Sequence, residues 1–345
     1  MKWIVTVAMV AGMMWASGAR AGDLDPPGAP APTMHTLEEI YQQLLTTQQQ
    51  VVNLQARMIA SGMQATSGSM VLIPAGDFVM GDTFGEGYSD ELPLHTNSIS
   101  AFWMDQTETT KEKWDEVYTW AAANGYTFDN AGSGKEIDHP VHTVNWYDCV
   151  KWANARSEMD GFTPCYTTNG ATYKTGTTAD VACNWAASGY RLPTEAEWEK
   201  AARGGTDGMR FPWGDVNSIQ HTRANYYASP SSFTYDTSAT SDYHPDYQSG
   251  GIPYTSPVWS FAPNGYGLHD MAGNLYEWCW DWYGDTYYAS SPGTDPHGPG
   301  AGSDRVSRGG SWVRNASFCR VAGRSNDSPG SENVNLGFRL VRAAQ

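Results

Sequence analysis

The sequence contains few basic residues. It has 21 Lys and Arg against 37 Asp and Glu, and its formal net charge is −16 at pH 7. A surface with this excess of negative charge repels a phosphate backbone, so we do not expect nucleic acid as a partner. Charged residues of both signs make up only 17% of the chain. Long helices built from Glu, Lys and Leu would give a higher charged fraction, so this composition does not favour them.

Several catalytic motifs are also missing. The chain has no G-x-S-x-G segment, no glycine-rich phosphate loop, and no H-E-x-x-H or H-x-x-x-H pair. It also lacks internal repeats of solenoid or propeller length. Hydrolase, kinase and helical histidine-metal chemistry therefore have no support in the sequence.

Aromatic residues and glycine are abundant, with 15 Trp, 19 Tyr and 36 Gly. This composition favours much irregular chain held in place by buried rings. The pattern around Pro74-Ala75-Gly76 predicts strands over 70–82. Helices are predicted from Thr109, where Glu112 completes a capping box, over 146–157, and after Thr194, where Glu197 completes a second box.

The chain begins like a secretory signal peptide. Lys2 precedes an apolar run, and Ala19-Arg20-Ala21 provides a cleavage motif, so we expect cleavage after Ala21 and a secreted, periplasmic or cell-surface protein. The alternative, a transmembrane anchor, requires about 20 apolar residues, more than the run supplies. We therefore expect no integral membrane anchor.

Two segments follow the expected signal peptide. Residues 22–33 are a Pro-rich linker. Residues 34–60 predict a coiled-coil helix, because a seam of positions between 37 and 58 recurs at alternating spacings of three and four and is apolar except at Thr47. Self-association through 37–58 is the favoured interpretation, and an amphipathic helix docked on its own domain is the alternative.

Five cysteines are present, which in an exported protein favours disulfides and leaves one thiol unpaired. Cys165 and Cys183 bracket a polar, hairpin-like insertion, so we expect a disulfide across its base; two free thiols that bind a metal are the alternative. Cys149 lies on the apolar face of a predicted helix and is interpreted as a buried thiol.

Seven segments along the chain occur in a characteristic order. The chain thereby resembles the formylglycine-generating enzyme (sulfatase-modifying factor) family over residues 69–342. The resemblance implies an α+β fold, a variant of the C-type-lectin-like fold with small twisted sheets and two or three short helices. The segments are GDFVMGD, PVHTVNWYDCVKWANARSE, GYRLPTEAEWEKAARGG, FPWGD, NGYGLHDMAGNLYEWCWDWY, RVSRGGSW and NLGFRLVR.

The resemblance also implies where a copper site would lie. Active members of the family oxidise a sulfatase cysteine with molecular oxygen and Cu(I) held by two cysteines five residues apart. Here the second position is Cys319, the catalytic candidate if the protein is active, and the first is Arg314. A guanidinium only donates hydrogen bonds and cannot ligate Cu(I), so we expect no bound Cu(I). A Cys279–Cys319 disulfide between neighbouring strands is a further hypothesis.

Calcium is expected from the segment LHDMAGNLYEW. By resemblance, Asp270 and Glu277 supply side-chain oxygens, and Gly273 and Leu275 supply carbonyls, in the oxygen cage that Ca²⁺ prefers. The alternative is that both carboxylates only cap nearby backbone. A second family site near Asn225 lacks a clearly aligned acidic half.

The segment 308–340 predicts a binding face, because surface loops on a rigid frame often carry recognition residues. Its alternation of polar and framework residues resembles the variable proteins of diversity-generating retroelements. The favoured function is a binding module for a protein, peptide or glycan; the alternative is an oxidoreductase that acts on a cysteine of exported sulfatases. The expected face comprises Trp312, Val313, Arg314, Asn315, Ser317, Phe318, Gly323, Ser325, Asn326 and Asp327.

Overall fold

A computed structural model describes residues 41–43, 66–67 and 69–344. Residues 41–43 are helical. The expected signal peptide, the linker and the rest of the predicted coiled coil lie outside the described residues. Within the described part, no helix is long and apolar enough to cross a membrane.

The domain contains three short α-helices among many short strands. The helices are α1 (Lys111–Ala123), α2 (Trp146–Met159) and α3 (Glu195–Ala202), and single 3-10 turns occupy Ser89–Glu91 and Tyr287–Ala289. The strands are β1 (Thr66–Ser67), β2 (Met70–Ile73), β3 (Gly76–Met80), β4 (His95–Ile99), β5 (Phe102–Asp105), β6 (Tyr166–Thr168), β7 (Ala171–Thr172), β8 (Ala182–Cys183), β9 (Tyr276–Trp282), β10 (Arg305–Arg308), β11 (Arg324–Asp327), β12 (Leu336–Gly337) and β13 (Val341–Ala343).

The starts of the helices follow their capping residues. The Thr194 hydroxyl accepts a hydrogen bond from the Glu197 N–H, and the Glu197 carboxylate accepts one from the Thr194 N–H, so this predicted box is confirmed. The box predicted at Thr109 is wrong: Thr110 caps α1 by accepting from the Lys113 N–H. The sequence pattern does not distinguish Thr109 from Thr110 as the N-cap. The path of the backbone makes Thr110 the capping residue.

The strands form four small sheets. Two have four strands, in the orders β1-β2-β5-β13 and β11-β10-β9-β12, and the other two are the pair β3-β4 and the insertion sheet β7-β6-β8. The pairing is antiparallel except between β12 and β9. This confirms the expected α+β fold of small sheets with much irregular chain.

Buried tryptophans hold these elements together. Trp114 of α1 and Trp152 of α2 stack with ring centroids 5.7 Å apart and planes inclined by 1°, and both are fully buried. The Arg305 guanidinium lies between the rings of Trp146 and Trp282, at 3.8 and 3.5 Å from their centroids. Large rigid rings supply much of the buried area of the domain.

The loop between β10 and β11, residues 309–323, carries most of the expected face. It begins at Gly309 and Gly310, whose φ angles are +97° and +74°. A Cβ on Gly310 would lie 2.7 Å from the Cys319 sulfur, so a residue with a side chain would push the loop off the domain. The glycine pair therefore fixes how the loop returns over the sheet.

Candidate functional site: the 312–327 face and the acidic cluster behind it

Arg314 and Cys319, the two positions expected for copper, have opposite environments. Arg314 is exposed, and its guanidinium carbon lies 5.3 Å from the Phe318 ring centroid and 5.8 Å from that of Tyr276. Cys319 is fully buried, and burial raises the pKa of its thiol. A buried neutral thiol beside a surface guanidinium offers Cu(I) neither two thiolates nor an open position.

All five cysteines are free thiols in the structure, so neither expected disulfide is formed in it. Cys183 pairs with Tyr166 across the insertion sheet, so Cys165 lies one residue out of register with it. Each remains half-buried or buried as a thiol; burial raises the pKa of Cys165 to about 11.

The Cys279–Cys319 pairing is at odds with the structure. Cys279 is in β9, but Cys319 lies in a turn rather than in a neighbouring strand. The two residues also belong to separate clusters of buried side chains. The expected adjacency failed because residues 309–323 fold into a turn-rich loop before β11 pairs with the sheet.

Burial alternates along the expected face. Ala316 and the run 319–324 are buried, whereas 313–315, 317–318 and 325–327 are exposed or half-buried. Two members of the expected face are interior residues, which corrects the prediction. Trp312 is 3% exposed and packs its ring against Tyr254, at 5.3 Å between centroids, and Gly323 is buried.

Two buried arginines, Arg320 in the loop and Arg324 at the start of β11, are held by glutamates from distant segments. Arg320 donates to both carboxylate oxygens of Glu91, at 2.7 and 2.6 Å. Arg324 donates to both oxygens of Glu195, at 2.7 and 2.9 Å. Such two-point pairs fix both position and orientation, so they anchor the loop at two places to the 3-10 turn near residue 90 and to α3.

A cleft of about 430 Å³ opens beside the loop, between residues 86–88, 232–235 and 315–320. Aromatic rings form much of its wall. The ring centroids of Tyr88 and Phe318 lie 6.3 Å apart, and those of Phe233 and Tyr235 lie 5.6 Å apart. Its size falls in the range of small-ligand pockets, roughly 300–1,000 Å³, so the exposed side chains of the loop border a ready-made recess.

Behind the face lies a buried acidic cluster that contains the two expected calcium carboxylates. Glu277 accepts two hydrogen bonds from Arg339, at 2.6 and 2.7 Å. Glu108 accepts from the Leu275 N–H at 2.9 Å. Burial raises the pKa of Asp270 to about 7, although Arg339 opposes this. Burial and the neighbouring carboxylates Asp270 and Glu277 also raise the pKa of Glu108 well above its ordinary value.

The arrangement of this cluster fits a calcium ion in part. Three carboxylates face one guanidinium, and Asp270 Oδ1 is buried with no hydrogen-bond partner in the part of the chain that the structure describes. A cation would supply the missing charge and occupy the unpaired oxygen. Among the described residues, no three His, Cys, Asp or Glu side chains are arranged as metal ligands. Backbone carbonyls would therefore have to complete the set.

The turn that carries the expected carbonyls requires glycine. Gly273 has a φ of +83°, and a Cβ there would lie 2.2 Å from the Asn225 carbonyl oxygen. Asp270 and Asn274 also adopt positive φ, +59° and +60°. The chain therefore forms a compact turn between Asp270 and β9.

The sequence reasoning missed the glutamates that hold the site together. Glu91, Glu108 and Glu195 are each at most 2% exposed, although glutamate is rarely buried without a partner. The only available signal was the excess of arginines near the C-terminus of the domain. Their partners lie more than a hundred residues away in sequence, so no local pattern identifies them.

The fold and the face together define a class: a C-type-lectin-like domain that carries an arginine-anchored loop. The profile of the family described as "Sulfatase-modifying factor enzyme 1-like domain" matches residues 55–344. The chain is also 37% identical over 299 residues to the formylglycine-generating enzyme of Streptomyces coelicolor, covering 79% of this chain and 89% of the relative. The chain therefore belongs to the formylglycine-generating enzyme family.

Two further relatives extend the comparison. The formylglycine-generating enzyme of Bos taurus is 34% identical over 300 residues, covering 82% of this chain and 77% of the relative. The solved structure of Treponema denticola variable protein 1 superposes with a TM-score of 0.61 at 33% identity, covering 81% of this chain and 98% of that one. Proteins similar to this chain therefore carry different descriptions, and the chemistry of the site has to distinguish between them.

Proposed function

We propose that the protein is an exported ligand-binding module and does not carry out copper-dependent oxidation. The observation that carries this proposal is the environment of Cys319. It is fully buried with its pKa raised by burial, and its expected partner position is occupied by the exposed Arg314. Without a second thiolate, Cu(I) lacks the soft ligand pair that would hold it.

The loop geometry supports a recognition role. Buried residues, among them Arg320 and Arg324, hold the frame, while Val313, Arg314 and Asn326 project outward. This division allows the surface to vary without loss of the fold. The similarity to Treponema denticola variable protein 1, which is described as a variable protein, is in line with such a surface. The ligand of the face is a protein, peptide or glycan.

The alternative is a formylglycine-generating oxidoreductase, which the descriptions of the S. coelicolor and B. taurus relatives favour. The test is to add Cu(I) under anaerobic conditions, measure uptake, and then supply oxygen and a cysteine-containing sulfatase peptide. Cys319→Ser is the matched control. We expect no uptake that depends on Cys319 and no aldehyde product. Copper binding or oxidation that disappears in Cys319→Ser would contradict the proposal.

Calcium is the cofactor in this proposal. Asp270 and Glu277 would supply carboxylate oxygens, and Gly273 and Leu275 carbonyl oxygens, with Glu108 close behind them. The ion would neutralise buried charge and hold the turn that precedes β9, and thereby the sheet that supports the face. It takes no part in a reaction.

Export and self-association complete the proposal. Cleavage after Ala21 would release the mature chain, and pairing of helices through residues 37–58 would join several faces. Weak binding at one face then gains strength through avidity. Glycan and peptide arrays probed with full-length mature protein in calcium would test the binding role, and silence on both would contradict it.

A further inference from the structure

We propose that the ligand of the 312–327 face is an extended, acidic polypeptide segment with a large apolar side chain that enters the aromatic cleft. The inference rests on the proposed binding function and specifies its ligand class. It is carried by three features of one surface: an apolar strip, a free strand edge and an unpaired guanidinium.

The apolar strip continues from the cleft along residues 84–94. Tyr88 is 60% exposed, and Phe84, Leu92 and Leu94 are 38–45% exposed. Four large apolar side chains within one short segment form a patch of the kind that marks interaction sites. Aromatic rings accept sugars as well as side chains, but exposed leucines favour an apolar partner group. The strip therefore fits a polypeptide better than a glycan.

The free strand edge belongs to β11. This strand is the outermost of its sheet, and within the described part of the chain its backbone bonds only to β10. An edge of this kind has outward N–H and C=O groups that a further strand can pair with. Ser325, Asn326 and Asp327 of the face are on this strand.

The edge and the cleft are adjacent. Gly323, directly before β11, is so close to the cleft wall that a Cβ would lie 3.0 Å from the Phe318 carbonyl oxygen. At the same end of β11, Arg324 donates to the Asp90 carbonyl at 2.7 Å, within the apolar strip. A peptide paired with β11 would thus reach the cleft and the strip within a few residues, at about 3.3 Å per residue.

Charge complementarity selects the acidic partner. The side chain of Arg314 is exposed, contacts the rings of Phe318 and Tyr276, and forms no hydrogen bond or salt bridge with the described residues; its charge acts on the Asp327 carboxyl of the same face, where it opposes the rise in pKa caused by burial. The other arginines that define this loop, Arg320 and Arg324, are paired with glutamates. Arg314 is therefore the guanidinium of this loop that is available to a carboxylate of the ligand.

The test uses the full-length mature protein and a phage-displayed library of random peptides about ten residues long, enough to span a typical strand. We expect enriched peptides to combine Asp or Glu with a large apolar residue. For the best synthetic peptide, Tyr88→Ala and Arg314→Glu should each raise Kd by about tenfold or more. Ile252→Ala, equally exposed at 64% but outside the strip and the cleft, should leave Kd unchanged.

Two further measurements address the mechanism. Replacing the acidic residue of the peptide with Lys should restore binding to Arg314→Glu. N-methylation of alternate peptide nitrogens should weaken binding, because it removes the donors that pair with β11. Binding that is insensitive to Tyr88→Ala and Arg314→Glu would overturn the proposal.

The experiments distinguish an error in the proposed ligand class from an error in the proposed binding function. No enriched peptide, together with glycan binding that Tyr88→Ala abolishes, would overturn the peptide ligand and retain the binding face. Silence of both the peptide library and a glycan array would overturn both proposals.

Discussion

Two arginines of the same loop should have very different effects on stability. Arg320 is 2% exposed and donates two hydrogen bonds to Glu91, which is fully buried. It also donates to the Ser317 carbonyl at 2.9 Å. Arg314 is exposed and has no such partner among the described residues. Methionine has a similar length and no charge, so Arg320→Met and Arg314→Met form a matched pair.

Arg320→Met leaves the Glu91 carboxylate buried without its counterion. Breaking a buried pair in this way costs about 3–5 kcal/mol, whereas a surface change such as Arg314→Met lies within about 0.5 kcal/mol. Urea denaturation followed by tryptophan fluorescence measures both. With an m value of about 3 kcal/mol/M, a loss of about 4 kcal/mol lowers the unfolding midpoint by about 1 M.

The double variant Arg320→Met, Glu91→Leu separates the pair from its surroundings. Replacing both partners with apolar side chains removes the unpaired charge and should recover most of the lost free energy of unfolding. The reasoning would be refuted if Arg320→Met lowered the midpoint no more than Arg314→Met does. It would also be refuted if the double variant were as unstable as the single one.

Three further predictions follow from buried groups. Iodoacetamide should alkylate Cys319 only after unfolding, because this thiol is fully buried in the folded protein, as peptide mass mapping would show; alkylation of Cys319 in the native protein would contradict this, and a Cys165–Cys183 cross-link would support the disulfide expected from the sequence. Calcium should raise the melting temperature above its value in EDTA. At a calcium concentration one hundred times Kd, the rise corresponds to about 2.7 kcal/mol in the free energy of unfolding. Asp270→Asn should abolish this rise, and an equal rise in the variant would rule out Asp270 as a ligand. Burial lowers the pKa of His142 to about 4, so the unfolded chain takes up a proton at this residue at a higher pH than the folded protein does. The free energy of unfolding therefore falls as the pH drops from about 6.5 to about 4, by up to about 3 kcal/mol. His142→Asn should flatten this part of the curve of unfolding free energy against pH, and an unchanged slope would contradict the assignment.

Local patterns in the sequence determined most of the elements that frame the site. Thr194 and Glu197 fixed the start of α3 because a capping box is satisfied by residues three apart. The Pro74-Ala75-Gly76 turn separated β2 from β3 for the same local reason. The ordered motifs predicted the family, and Arg314 indicated that the copper pair is incomplete, because the chemistry of one side chain does not depend on its surroundings.

Only the tertiary structure decided which residues are inside. Trp312 was predicted on the face and is buried, while Cys319 lies on the buried side of the same loop, close to Gly310. Glu91 and Glu195 find their arginines across separations of more than a hundred residues, which no periodicity encodes. The physical reason is that a loop-rich domain is fixed by long-range packing and by buried ion pairs, and these depend on where the chain returns. Sequence therefore determined the chemistry of each position, and the fold determined which positions face solvent.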